Sequence, residues 1–166
     1  WLETGKPPSS KIDDTNQSDE YLKKEALQLF EQMLEKGDEK EPIRIGAAYE
    51  LAAIRDQVLA KELLQKALLD ERESVRRAGT YGLVALGTAA EDVFLEAIKS
   101  PIKWLRKAGI YGLGEVSILN QEIFEAVKNC LLEDSSKYVR SVAAGSLGCL
   151  GRRTTACLLY TSPSPR

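Results

Sequence analysis

Residues 75–83 read Val75-Arg76-Arg77-Ala78-Gly79-Thr80-Tyr81-Gly82-Leu83, and residues 105–113 read Leu105-Arg106-Lys107-Ala108-Gly109-Ile110-Tyr111-Gly112-Leu113. Two further segments fall into the same register without gaps: Ile43-Arg44-Ile45-Gly46-Ala47-Ala48-Tyr49-Glu50-Leu51 and Val139-Arg140-Ser141-Val142-Ala143-Ala144-Gly145-Ser146-Leu147. The aligned arginines stand 32, 30 and 34 residues apart. Self-similarity at such a period marks repeated supersecondary units. Leu51, Leu83, Leu113 and Leu147 recur seven residues after each arginine, and Ile54, Leu86, Val116 and Leu150 three residues later. Apolar residues at that spacing line one face of an α-helix.

A second helix is expected before each of these, over about 20–36, 57–69, 90–99 and 121–133, on apolar stripes such as Leu59, Leu63, Leu64, Leu68 and Phe124, Val127, Leu131, Leu132. A glycine inside a helix costs roughly 1 kcal/mol relative to alanine. Gly79, Gly82, Gly109, Gly112 and Gly114 are therefore expected to be offset by close helix–helix approach. No run alternates with the period of a strand, and no Asn-Gly hairpin signal occurs. The expected fold is all-α: four antiparallel helix pairs at about 20–55, 56–88, 89–119 and 120–153, stacked as an α-solenoid so that each pair covers its neighbour's apolar face.

The unit of an apolar residue, Arg, two variable residues and a small residue, ending in Tyr-Gly-Leu in its fullest form, resembles the armadillo-like HEAT repeat. Its short period and Gly/Ala-rich second helix are most similar to the variant named for phycobilin lyases. The resemblance spans about residues 20–153. It implies an Asp in the turn six residues before each Arg, the two residue types forming a ladder between units. Asp38 and Arg44, Asp70 and Arg76, and Asp134 and Arg140 match that spacing, whereas Ser100 stands before Arg106. One fold hosts many functions. The resemblance implies a non-catalytic protein-interaction scaffold with a concave surface. It also leaves open a phycobilin-lyase-like protein that handles a chromophore, or a regulatory appendage to a catalytic domain. The iron-binding hydroxylases built on this repeat use His-Glu pairs, which this chain lacks.

Composition narrows the chemistry. The 166 residues contain no histidine, which removes Ser-His-Asp and Cys-His catalysis and histidine-ligated metal sites. Neither a catalytic residue nor a cofactor or metal site is expected. Hydrophobic residues reach 43 %, enough for a packed core. Net charge is −2, with −5 on residues 1–42 and +3 on residues 43–166, too small an excess to expect nucleic-acid binding. Cys130, Cys149 and Cys157 form no C-x-x-C pair and read as small buried hydrophobes, so an intracellular, cytoplasmic setting is expected. No apolar run approaches the roughly 20 residues of a membrane span. The chain opens on Trp1 rather than Met and is expected to be a monomeric segment of a longer solenoid. Residues 1–19 read as a polar linker. Residues 154–166 lack the repeat and stand open between genuine chain and translated adaptor sequence, which they resemble.

Two sets of residues are candidates for function. The arginine column (Arg44, Arg76, Arg106, Arg140) could read a carboxylate or phosphate, but three matching aspartates favour the structural ladder. Tyr49, Tyr81 and Tyr111 share one register position. Trp104, Lys107 and Tyr111 lie at i, i+3 and i+7, and Arg77 and Tyr81 at i and i+4. Aromatics beside cations are favoured at protein interfaces, which makes this stripe the candidate contact surface for another protein. The competing reading packs the rings between adjacent units.

Overall fold

The computed structural model describes residues 41–118 and 120–161, with side chains to residue 153, and six positions between residues 21 and 32. The linker at 1–19, Asp38, the side chain of Cys157 and residues 162–166 lie outside the described residues. Among the described residues all regular structure is helical and no strand occurs. The helices are α1 (Glu41–Ala52), α2 (Gln57–Leu68), α3 (Glu73–Ala85), α4 (Glu91–Ala97), α5 (Lys103–Val116), α6 (Gln121–Glu133) and α7 (Lys137–Thr161), with a 3-10 turn at Gly87–Ala90 before α4. The six positions between 21 and 32 are helical, as the reading of 20–36 requires.

Local chemistry sets these boundaries. The Asp56 carboxylate accepts the Leu59 amide at 3.1 Å, and the Asn120 side chain accepts the Ile123 amide at 2.9 Å. Each satisfies one of the orphan donors at the start of α2 and α6. Before α3, α5 and α7 a different device recurs. Asp70 accepts the Arg72 amide, Ser100 the Ile102 amide and Asp134 the Ser136 amide, at 2.8, 3.1 and 2.8 Å. Each closes a short side-chain turn three residues before its helix. These turns fix where the arginine of each unit emerges.

The apolar register is the core. Val75, Ala78 and Leu83 are buried on α3, with Leu86 at its C-cap; Leu105, Ile110 and Leu113 on α5; Val139, Ala143 and Leu150 on α7. Phe94, on the short α4, is fully buried and among the largest such side chains. The stripe assigned to α6 needs correction. Val127 is buried and Leu131 packs against the core as expected, but Phe124 and Leu132 are exposed, and Ile123, four residues before Val127, takes the buried position instead. Lys128 instead covers the Phe124 ring from 5.7 Å. α7 continues past Gly151 to Thr161, so the repeat pattern stops before the helix does.

The glycines account for the spacing of the layers. A Cβ on Gly79 would lie 2.8 Å from the Leu68 backbone nitrogen and 2.9 Å from the Leu64 carbonyl oxygen; on Gly109 it would lie 2.7 Å from the Phe94 carbonyl oxygen. These equivalent positions bring α3 onto α2 and α5 onto α4. Gly82 faces the Ala48 backbone on α1, and Gly114 faces Ser146 on α7, whose hydroxyl donates to the Ile110 carbonyl at 2.9 Å. Small residues thus draw α1 against α3 and α5 against α7, while α3 and α5 touch much less. Gly46, by contrast, has nothing near its missing Cβ. Gly46→Ala is expected to stabilise by roughly 0.5–1 kcal/mol through helix propensity. Gly79→Ala should destabilise by about 1–3 kcal/mol, because backbone atoms cannot give way. Urea unfolding of the two variants checks this, and equal effects would refute close approach at Gly79.

Candidate functional site

The arginine column is anchored from below by backbone. Arg76 donates through Nη1 to the Asp70 carbonyl at 3.0 Å and also to the Glu71 carbonyl. Arg106 does the same to the carbonyls of Ser100 and Pro101, at 3.0 and 2.9 Å, and Arg140 to the Asp134 carbonyl at 2.7 Å. The residue six positions back is therefore met at its main chain, whatever its side chain. The pairing expected for Asp70 with Arg76 is corrected accordingly: the Asp70 carboxylate is held by Arg72, at 2.9 Å on each oxygen. That neighbour, helped by the turn amide, holds the Asp70 carboxyl below its ordinary pKa. Arg140 likewise bonds the Asp134 carbonyl, while the Asp134 carboxylate is forked by Arg106.

A side-chain link between units forms at Arg106. Arg106 forks onto Asp134 of the next unit, Nε to Oδ2 at 2.6 Å and Nη2 to Oδ1 at 3.0 Å. Both side chains are mostly buried, at 14 % and 5 % exposure. The hydrogen bonds from Arg106 lower the Asp134 pKa, and Asp134 raises that of Arg106. Arg44 is 2 % exposed and bonds Ser74 of the next unit. Arg76 has a different neighbour. Its next unit offers Ser100, a neutral hydroxyl that accepts the turn amide, in place of a carboxylate, and its guanidinium carbon lies 4.9 Å from the centre of the Trp104 ring.

The aromatic stripe is partly brought together. Tyr81 and Tyr111 meet edge to face, with ring centres 6.1 Å apart and planes at 87°, and both are half-buried. This is packing between adjacent units, as the competing reading required. Burial, followed by Glu115 and the Tyr81 and Tyr49 hydroxyls, raises the Tyr111 pKa. Tyr49 itself is exposed. Trp104 and Lys107 are exposed, and Arg77 is bound to Glu41 at 3.0 Å. Tyr81, Tyr111, Trp104, Arg77 and Lys107 border a groove of about 700 Å³ that crosses α3, α5 and α7, whereas Tyr49 is not part of its lining. Its wall carries Arg76, Arg77, Lys103 and Lys107 against Glu73.

Sequence reasoning missed Lys103 and Tyr138 in this wall. The signal for Tyr138 was present: it precedes Arg140 by two residues, as Trp104 precedes Arg106. Tyr138 is 63 % exposed, with Lys137 5.3 Å from its ring. Among the described residues no group of three or more Cys, Asp and Glu is placed to hold a metal ion, and no helix is long and apolar enough to cross a membrane. Cys130 and Cys149 carry free thiols, and burial raises the pKa of Cys130. No protein-family model matches this chain, and no curated protein matches it.

Proposed function

We propose that the chain is a stretch of HEAT-like α-solenoid, built of four antiparallel helix pairs, that acts as a non-catalytic scaffold and binds an extended segment of another protein. Short connections between α2 and α3, α4 and α5, and α6 and α7 suit antiparallel neighbours, and the contacts from α1 to α3 and α5 to α7 suit stacking. The free thiols fit a reducing, cytoplasmic setting.

The observation that carries the reading is the groove across α3, α5 and α7. It combines rigid rings with long cationic side chains on a helical scaffold. Aromatic side chains give a large contact area at small entropy cost, and the fixed helices reduce the ordering needed on binding. The test is selection of peptides from a random displayed library on the wild-type protein. The variant Tyr81→Ala/Tyr111→Ala should bind the selected peptides at least about tenfold more weakly, a loss of about 1.4 kcal/mol. Its stability should fall by only about 0.5–1.5 kcal/mol from the lost ring pair, beyond the area term. Selected peptides that bind the variant as tightly as the wild type would overturn the assignment of the groove.

A further inference from the structure

Three turns of this protein are built alike, and one of them lacks a group that its equivalents supply. Asp134 has two oxygens: Oδ1 closes its own turn on the Ser136 amide while also taking Nη2 of Arg106, and Oδ2 takes Nε of Arg106. Ser100 occupies the equivalent position and closes its turn on the Ile102 amide, but it is a neutral hydroxyl with neither the charge nor the second oxygen that a fork needs. Arg76, the counterpart of Arg106, is tied at Nη1 to two backbone carbonyls and stacked against Trp104. Among the described residues no carboxylate forms an ion pair with it. Arg76 faces the groove, and Lys103 and Lys107 stand exposed beside it.

Resting on the groove as the binding surface, the geometry points to Arg76 as a carboxylate-recognition subsite: the partner is an acidic, extended peptide whose Glu or Asp forks onto Arg76 as Asp134 forks onto Arg106. The guanidinium is planar and held from two sides, so little freedom is lost when its remaining edge meets a carboxylate. The Trp104 face behind it and the neighbouring lysines favour an acidic sequence over a neutral one. The break in the ladder is thereby the feature that makes one unit of the array receptive.

The experiment measures fluorescence polarisation with a labelled peptide of alternating glutamate and tyrosine, and with its glutamine counterpart. The glutamate peptide should bind at least about tenfold tighter than the glutamine peptide at low salt, and the difference should shrink as ionic strength rises. Ser100→Asp supplies the missing carboxylate from within. It should raise the melting temperature and remove the preference for glutamate. Ser100→Asn keeps the turn acceptor without the charge and should leave the preference intact. Arg76→Lys keeps the charge but not the fork, and should reduce the preference several-fold even if Ser100→Asp does not fold. Equal binding of both peptides, lost together in Tyr81→Ala/Tyr111→Ala, would overturn the subsite and leave the groove standing. Failure of both peptides to bind would overturn the two readings together.

Discussion

Phe94→Ala is expected to lower stability by roughly 3–5 kcal/mol, the range for removing a large buried aromatic side chain. Phe94 is fully buried and sits on α4, a helix of only seven residues. So short a helix has little stability of its own and depends on tertiary packing. The ring reaches α5 at Gly112, where an added Cβ would overlap three of its atoms. That contact makes a stricter test than the single substitution. In the wild type, Gly112→Ala should destabilise by about 1–3 kcal/mol, since the overlap outweighs the roughly 1 kcal/mol of helix propensity gained. In the Phe94→Ala background the obstructing ring is gone, so Gly112→Ala should become neutral or stabilising. Denaturant unfolding of the four proteins in a double-mutant cycle measures the coupling. Additive effects within error would show that Phe94 does not fill the space that Gly112 leaves.

The contrast between Gly112 and Gly46 marks how far sequence carries. The fourfold register placed the helices to within a few residues, because period and apolar spacing are properties of the backbone. It also put Leu83 and Leu86 on one apolar helix face, and both are buried. It did not tell which glycines are obligatory, since Gly46 and Gly82 look alike in sequence and differ only in what lies opposite. The ladder shows a similar limit. The spacing of Asp70 to Arg76 was real, but it reports a bond to the Asp70 carbonyl, which any residue supplies. Arg72, two residues away across the turn, takes the carboxylate because it is nearer and needs less ordering. Phe124 was read as part of the apolar stripe with Val127, yet it is exposed and Ile123, one residue earlier, is buried. The groove was legible in part. Trp104, Lys107, Tyr81 and Tyr111 do lie along it, but the parting of α3 from α5 depends on which neighbours are small. Gly82 against Ala48 and Gly114 against Ser146 pull their helices together, and the Tyr81–Tyr111 pair stands between the helices that remain apart.

Arg106→Ala is expected to cost about 3 kcal/mol at neutral pH, because it leaves the Asp134 carboxylate buried without its fork. Asp134→Asn should cost less, since the amide still closes the turn on Ser136 and is uncharged. The pH dependence separates the ion pair from simple packing. Arg106 holds the Asp134 pKa below its ordinary 3.8 in the folded protein. A carboxylate with a depressed folded pKa adds stability that is present above the unfolded value and lost as pH falls through the folded one. The stability difference between the wild type and Asp134→Asn should therefore be constant at neutral pH and shrink as the solution is acidified below about 4. In Arg106→Ala the carboxyl loses the partner that depressed its pKa, and burial then favours its neutral form. That variant should lose less stability than the wild type over the same acid range, so the two curves converge. Urea unfolding at a series of pH values measures both differences. A gap between wild type and Arg106→Ala that stays constant through the acid range would mean that Arg106 stabilises the chain by its packing alone.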